Sequence, residues 1–142
     1  MIKIGFTGTR HGVNEIQKEE FLKLISHKDF NEFHHGICVG SDEETDNIVN
    51  NYREKNKKEI KIVGHPPKYK KFMSSNCNCD VLMKPYDYLE RNHNIVDACE
   101  ILVATPDTKE KLRSGTWSTI RYARKKGKRI YIIYPSGRVE IE

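Results

Sequence analysis

The chain has 142 residues, with 25 Lys plus Arg against 20 Asp plus Glu and a formal net charge of +5. At 37% hydrophobic and 32% charged it is polar for a globular chain but not disordered in composition, and its length fits one domain whose core needs no disulfide or metal staple. No run approaches the roughly 20 apolar residues of a membrane span, and Met1–Phe6 leads straight into a turn without the apolar stretch of a signal peptide. A soluble, cytoplasmic protein with no membrane partner is expected.

Short β-branched runs alternate with longer amphipathic segments. A first strand is predicted over Ile2–Phe6, followed by the turn Thr7-Gly8-Thr9-Arg10-His11-Gly12. The next segment, Asn14–His27, reads as a helix. Ile16, Phe21, Leu24 and Ile25 supply its apolar stripe, and Asn14 with Gln17 three residues on has the form of a capping box. His34 and His35 have no partner at metal spacing and read as surface residues or the approach to a second strand, Gly36–Val39. Gly40-Ser41-Asp42 then opens a helix, Asp42–Lys55, and a third strand is predicted over Glu59–Val63.

The stretch from Gly64 to Asp87 breaks the alternation. Pro66, Pro67 and Pro85 exclude a long element, and only Asp80–Met83 fits a short edge strand. A connection of this length in a compact domain is uncommon and reads as a binding or oligomerisation loop. Beyond it come a helix over Tyr88–Ala98, a strand over Glu100–Ala104 and the turn Thr105-Pro106-Asp107. Arg113-Ser114-Gly115-Thr116 opens a helix over Thr116–Lys126, which Gly127 stops. Trp117, Ile120 and Ala123 share one face of it, so Trp117 reads as core. Strands over Arg129–Tyr134 and Arg138–Glu142 complete the chain. This order predicts the α/β class: a single Rossmann-like domain over residues 1–142, with a mainly parallel sheet of about five or six strands and helices on both faces.

Cys38 and Cys99 lie in apolar runs, where a thiol behaves as a small hydrophobe. Cys77 and Cys79 form a Cys-x-Cys with no second pair at finger spacing, so surface thiols on a loop are expected and no metal. The basic runs Glu54–Lys58 and Arg121–Arg129 look like C-terminal turns of helices, where cations complement the dipole. Nucleic acid is therefore not expected as a partner.

In open α/β sheets ligands bind beyond the carboxyl ends of the parallel strands. The turns that follow the predicted strands supply the candidate ligand-binding residues: Gly8, Thr9, Arg10, Gly40, Ser41, Asp42, His65, Arg113, Ser114, Gly115 and Thr116. Arg91 joins them from the polar face of the third helix. Small residues let the backbone approach a ligand, helix N-termini offer unpaired N–H groups to a phosphate, and Arg10 and Arg113 add bidentate contacts. Ser114 and Asp42 also serve as plain helix caps, and His65 fits a structural role as well as a ligand role. The charge and shape suit a phosphorylated small molecule, most simply a nucleotide, and no cofactor is expected.

These turns, in this order, resemble the SLOG superfamily. The resemblance rests on Thr7-Gly8-Thr9-Arg10, His35–Asp42, Gly64-His65-Pro66-Pro67, Arg91-Asn92-x-x-Ile95-Val96, Ile101–Pro106 and Arg113–Thr119, and it runs from Lys3 to Tyr134. That superfamily is Rossmann-like and takes in phosphoribohydrolases of the LOG type, DNA-processing protein A, and stand-alone domains of nucleotide-signalling and conflict systems. Its hydrolase branch carries a Gly-Gly-x-Gly-Thr-x-x-Glu signature. Matching Gly115-Thr116 to its Gly-Thr places Thr119 where the Glu belongs, and threonine cannot exchange a proton near neutral pH. Glu90-Arg91-Asn92 matches the segment that holds the family's catalytic arginine, so Arg91 is the one catalytic candidate.

The resemblance thus implies a binding module that senses or sequesters a nucleotide signal, of the cyclic ADP-ribose or cyclic dinucleotide kind, in immune signalling or its evasion. Ser41 and Asp42 would reach the ribose hydroxyls. The alternative it implies is a nucleotide N-glycosidase, with Asp42, Glu90 or Asp97 as a relocated carboxylate. Single-stranded DNA binding is a weaker one. A homo-oligomer, dimer or higher, is implied as well.

Overall fold

The computed structural model describes all 142 residues, Met1–Glu142. Its elements in chain order are β1 (Ile2–Gly8), α1 (Glu15–Ser26), β2 (Phe30–His35), α2 (Ser41–Lys55), β3 (Lys61–Gly64), β4 (Val81–Leu82), α3 (Tyr88–Ala98), β5 (Ile101–Thr105), α4 (Gly115–Lys125), β6 (Arg129–Ile133) and β7 (Val139–Ile141). They form one seven-stranded sheet in the order β4-β3-β2-β1-β5-β6-β7. Only the β6–β7 pairing is antiparallel. The α/β class and the helices on both faces are as expected; β4 and β7 both join the sheet at its edges, which makes seven strands where about five or six were predicted.

Each helix is placed by its apolar residues. Phe21 and Ile25 of α1 and Val49 of α2 pack with Phe6, Phe33 and Val103 on one face of the sheet. Phe6, Phe21 and Phe33 meet with ring centroids 5.8–6.1 Å apart, within the range of favourable aromatic contact. On the other face Val96 of α3 packs with Trp117, Ile120 and Ala123 of α4. Helices serving strands to the left and right of β1 on opposite faces are what right-handed crossovers require. The capping box of α1 is present: Asn14 Oδ1 accepts the Gln17 N–H at 2.8 Å, and Gln17 Oε1 accepts the Asn14 N–H at 3.0 Å.

The second strand differs from its prediction. It runs over Phe30–His35, and Gly36–Val39 forms the turn that leads into α2. The apolar run Gly-Ile-Cys-Val resembles a buried strand, but Phe30 and Phe33 are the residues that fill the core, and Ile37 already takes a left-handed φ of 57°. Backbone groups in this turn pair elsewhere: Val39 N–H donates to Phe72 O at 2.8 Å, and Cys38 N–H donates to Asp42 Oδ2 at 3.1 Å. Gly40 (φ 85°) ends the turn, in a conformation that favours glycine, and a Cβ there would collide with the Arg10 carbonyl.

Gly8, at the carboxyl end of β1, sits where three chain segments meet. A Cβ at this position would lie 2.5 Å from Ser41 Cβ and 2.6 Å from Thr105 Oγ1, atoms held by α2 and β5. Gly8→Ala is expected to lower stability by about 1–3 kcal/mol through overpacking. Urea unfolding checks this, and an unchanged midpoint would show that the segments separate freely.

Candidate functional site

The strand order reverses between β1 and β5, and a cleft of about 440 Å³ opens over their carboxyl ends. Of the residues predicted from sequence, Gly8, Thr9, Arg10, Asp42, Arg91, Arg113, Ser114, Gly115 and Thr116 line this one cleft. Gly40, Ser41 and His65 do not. Gly40 shapes the turn beneath it. Ser41 is fully buried behind Gly8, and its Oγ, like Thr105 Oγ1, lacks a hydrogen-bond partner. The His65 ring turns away to His34.

One wall is the start of α4. Ser114 Oγ accepts the Trp117 N–H at 3.2 Å, and the first intrahelical bond is made by Ser118 N–H to Ser114 O. The Gly115 and Thr116 N–H groups therefore precede the helical ladder, and no acidic residue stands in this first turn. A Cβ on Gly115 would meet nothing within 4 Å. Arg10, Lys111 and Arg113 line the same cleft. The Arg10 guanidinium lies over the Phe72 ring, 4.3 Å from its centroid. Unpaired N–H groups, a helix dipole and several cations in one concavity have the chemistry that suits an anion.

The floor is Arg91. It is 5% exposed, and its Nη1 donates to Gly36 O at 2.6 Å and His65 O at 3.1 Å, while Nε donates to Asn92 Oδ1 at 2.8 Å. Nη2 keeps only the Cys38 thiol at 3.9 Å, which leaves it the donor available to a ligand. Asp42, also in the cleft, is 8% exposed. Burial pushes its carboxyl above the ordinary value, against the pull of the neighbouring His35 ring, the Arg91 charge and the Cys38 N–H. Thr119, at the position of the family's Glu, is buried in α4 and donates to Gly115 O at 2.9 Å. Glu90 is exposed outside the cleft lining, and Asp97 accepts from Tyr122 Oη at 2.9 Å. Of the three carboxylates considered from sequence, Asp42 is the one in the cleft.

Two expectations need correction. His34 and His35 are interior residues of β2, because the strand begins six residues earlier than the apolar run suggested. His34 Nε2 donates to Glu32 Oε1 at 2.8 Å, so its Nδ1 accepts from His65 Nε2–H, also at 2.8 Å. Cys77 and Cys79 are half-buried, drawn in by the bonds that Asn78 makes to Asp46, and are not open surface thiols. The Gly64–Asp87 segment is pinned to the body at several points; Ser74 N–H donates to Ile37 O at 2.7 Å and Ile62 N–H donates to Asp80 Oδ2 at 2.8 Å.

Sequence reasoning missed Phe72, Tyr88, Asn92 and Lys111 as lining residues. Asn92 had a signal, since it follows Arg91 directly; Phe72 had one in the run Lys68-Tyr69-Lys70-Lys71-Phe72, where cations stand beside aromatics. In the basic run after Arg121, Arg121 and Arg124 pair with Glu110, and Arg124 also with Glu142. Lys125 and Lys126 stand at the opposite end of α4 from the cleft, ~15 Å along a helix of this length.

No known protein-family profile matches the chain. No curated protein matches it in sequence. Solved structures do match in fold. The structural-genomics target TM1055 superposes with a TM-score of 0.63 at 15% identity, over 92% of this chain and 72% of that one. DNA processing protein A (DprA) from Streptococcus pneumoniae superposes with a TM-score of 0.58 at 16% identity, over 92% of this chain and 49% of that one, so the present chain spans about half of it. The fold is shared with both, and DNA-processing protein A is one of the branches named by the SLOG resemblance. No helix is long and apolar enough to cross a membrane.

Proposed function

We propose that the cleft at the β1–β5 switch point binds a phosphorylated, nucleotide-derived small molecule. The observation that carries this reading is the open first turn of α4 facing the same cavity as Arg10, Arg113 and the free Nη2 edge of Arg91. The phosphate would lie on the Gly115 and Thr116 N–H groups, with the remainder of the ligand toward Asp42, Asn92 and Tyr88. In this reading the domain senses or sequesters a nucleotide signal, the cyclic ADP-ribose and cyclic dinucleotide kinds being the first to test, and acts as a homo-oligomer.

A second reading is favoured by one feature. Asp42 places a carboxyl beside Arg91 in the cleft, with burial holding it toward its protonated form. A carboxylic acid so placed can deliver a proton to a departing base, as glycosyl-bond hydrolysis of a nucleotide requires.

Incubating the protein with AMP, ADP-ribose, its cyclic forms and cyclic dinucleotides, then releasing the ligand by heat, separates the two readings by mass spectrometry. Recovery of an intact ligand supports binding; free base supports hydrolysis, and Asp42→Asn should then stop turnover while retaining the ligand. Depletion of no member of the panel would count against both. Arg10→Ala and Arg113→Ala are each expected to weaken binding about tenfold or more, since a charge-assisted contact contributes roughly 1.5–3 kcal/mol. Unchanged affinity in both variants would remove the phosphate from this wall.

A further inference from the structure

One turn along α2 from Asp42, and outside the cleft lining, the end of β2, the second turn of α2 and the Gly64–Asp87 segment bring together four groups with metal-ligand chemistry. Donor atoms of His35, Asp46 and Cys77 all lie within 4.8 Å of one another. Cys79 Sγ lies 3.7 Å from His35 Nε2 and 4.0 Å from Asp46 Oδ2. Cys77 and Cys79 flank Asn78, whose backbone N–H and side-chain Nδ2 both donate to Asp46 Oδ1. His35 and Asp46 are fully buried, whereas Cys77 and Cys79 are half-buried, which leaves a side from which an ion can enter.

The hydrogen bonds assign different roles to the four. Ile37 N–H donates to His35 Nδ1 at 3.0 Å, so that nitrogen carries no proton and the ring holds its proton on Nε2. Nε2–H donates to Asp46 Oδ2 at 2.8 Å. A histidine that ligates a metal through one nitrogen normally donates from the other. His35 faces a donor there, so it is disqualified as a ligand and suited to hold a ligating carboxylate in place. Asp46 Oδ1 is fixed in turn by the Asn78 N–H at 2.8 Å and Asn78 Nδ2 at 2.7 Å.

We propose that Cys77, Cys79 and Asp46 form a zinc site, with His35 and Asn78 orienting the Asp46 carboxylate and a water in the fourth position. Two thiolates and one carboxylate make a borderline-soft donor set that suits Zn²⁺. Bond lengths of about 2.3 Å to sulfur and 2.0–2.2 Å to oxygen put tetrahedral donors roughly 3.5–3.8 Å apart, close to the Cys79–Asp46 separation. Each coordinating thiol gives up its proton to solvent, so affinity rises with pH. The bound ion ties the segment that carries Phe72 into the cleft wall onto α2 and β2. The site is separate from the anion cleft and stands whether or not that cleft binds a nucleotide.

The test is zinc titration of the metal-free, reduced protein, with cobalt substitution as the spectroscopic readout. One equivalent of Zn²⁺ per chain is expected, together with a thiolate-to-cobalt charge-transfer band and the intense visible bands of tetrahedral Co²⁺. Cys77→Ser and Cys79→Ser should each weaken binding at least tenfold, and Cys99→Ser, in the core near β1, should leave it unchanged. Asp46→Asn is a further ligand test, but the thiol variants keep the result interpretable if it fails to fold. No zinc uptake, or uptake that survives loss of both thiols, would overturn the site. X-ray absorption of the zinc form should show sulfur and oxygen neighbours, and imidazole scattering in the first shell would overturn the role given to His35.

Discussion

Arg91→Ala should cost the folded protein about 3 kcal/mol or more, even in the absence of any ligand. The arginine is 5% exposed and satisfies two backbone carbonyls, Gly36 O and His65 O, through a single Nη1. Removing it deletes two charge-assisted bonds, each contributing roughly 1.5–3 kcal/mol, and leaves both carbonyls buried without a partner. From sequence, Arg91 reads as a ligand contact on the polar face of its helix. The structure makes it a brace between the turns after β2 and β3 as well. Arg10→Ala, whose guanidinium rests on Phe72 at the rim, should change stability far less. Denaturant unfolding of the two variants side by side tests the contrast; equal and small losses would show that Arg91 is not a brace. Affinity lost in Arg91→Ala therefore needs a fold control, which Arg10→Ala does not.

The second large effect concerns acid. Burial pushes the His65 imidazole down to about 3 from its ordinary 6.5, and the neighbouring His34, His35 and the Arg91 charge make a further proton there less favourable still. His34 is lowered as well, burial outweighing the help of Glu32. A folded-state value below the unfolded one has a definite sign. Above pH 6.5 both states carry neutral rings and the shift contributes nothing; as pH falls below that, only the unfolded chain takes up the proton, and stability drops. At 1.36 kcal/mol per unit, His65 alone should remove about 3 kcal/mol between pH 6.5 and 4. His65→Gln keeps a donor for His34 and removes the titration. The variant's stability should depend on pH less steeply than the wild type's by about one proton over this range, with all other groups cancelling in the comparison. Parallel curves would mean that the His34–His65 pair admits a charge.

Much of the architecture was legible because each signal was local. Asn14 with Gln17 marked α1, the β-branched runs marked β1, β5 and β6, and the limits of α3 were met to the residue. The second strand was misplaced because apolar content and sheet position parted company there. Phe30 and Phe33 stand three apart, off the two-residue period of a regular strand, and two histidines complete it, buried beside Glu32 of the same strand and beside Asp46 and His65, which the fold brings to them. The same limit applied to the site. Turns after strands exposed most of the cleft residues, since topology places those turns together. Phe72 and the Cys77–Cys79 pair lie in a segment with no periodicity to read, and their positions follow from hydrogen bonds to residues more than thirty positions away in the chain.

That segment from Gly64 to Asp87 contributes one wall of the cleft yet only the two-residue strand β4 to the sheet. Its ties run to the turn after β2, to α2 and to β3, and scarcely involve the core. In the proposed reading, part of the ligand preference is written into a stretch of the gene that builds little of the core. Substitutions or changes of length near Phe72 can reshape what the cleft admits while the strands and the α4 terminus stay as they are. Among descendants of this chain, diversification of ligand should accumulate there first, and a library confined to residues 66–76 is the place to begin redirecting it.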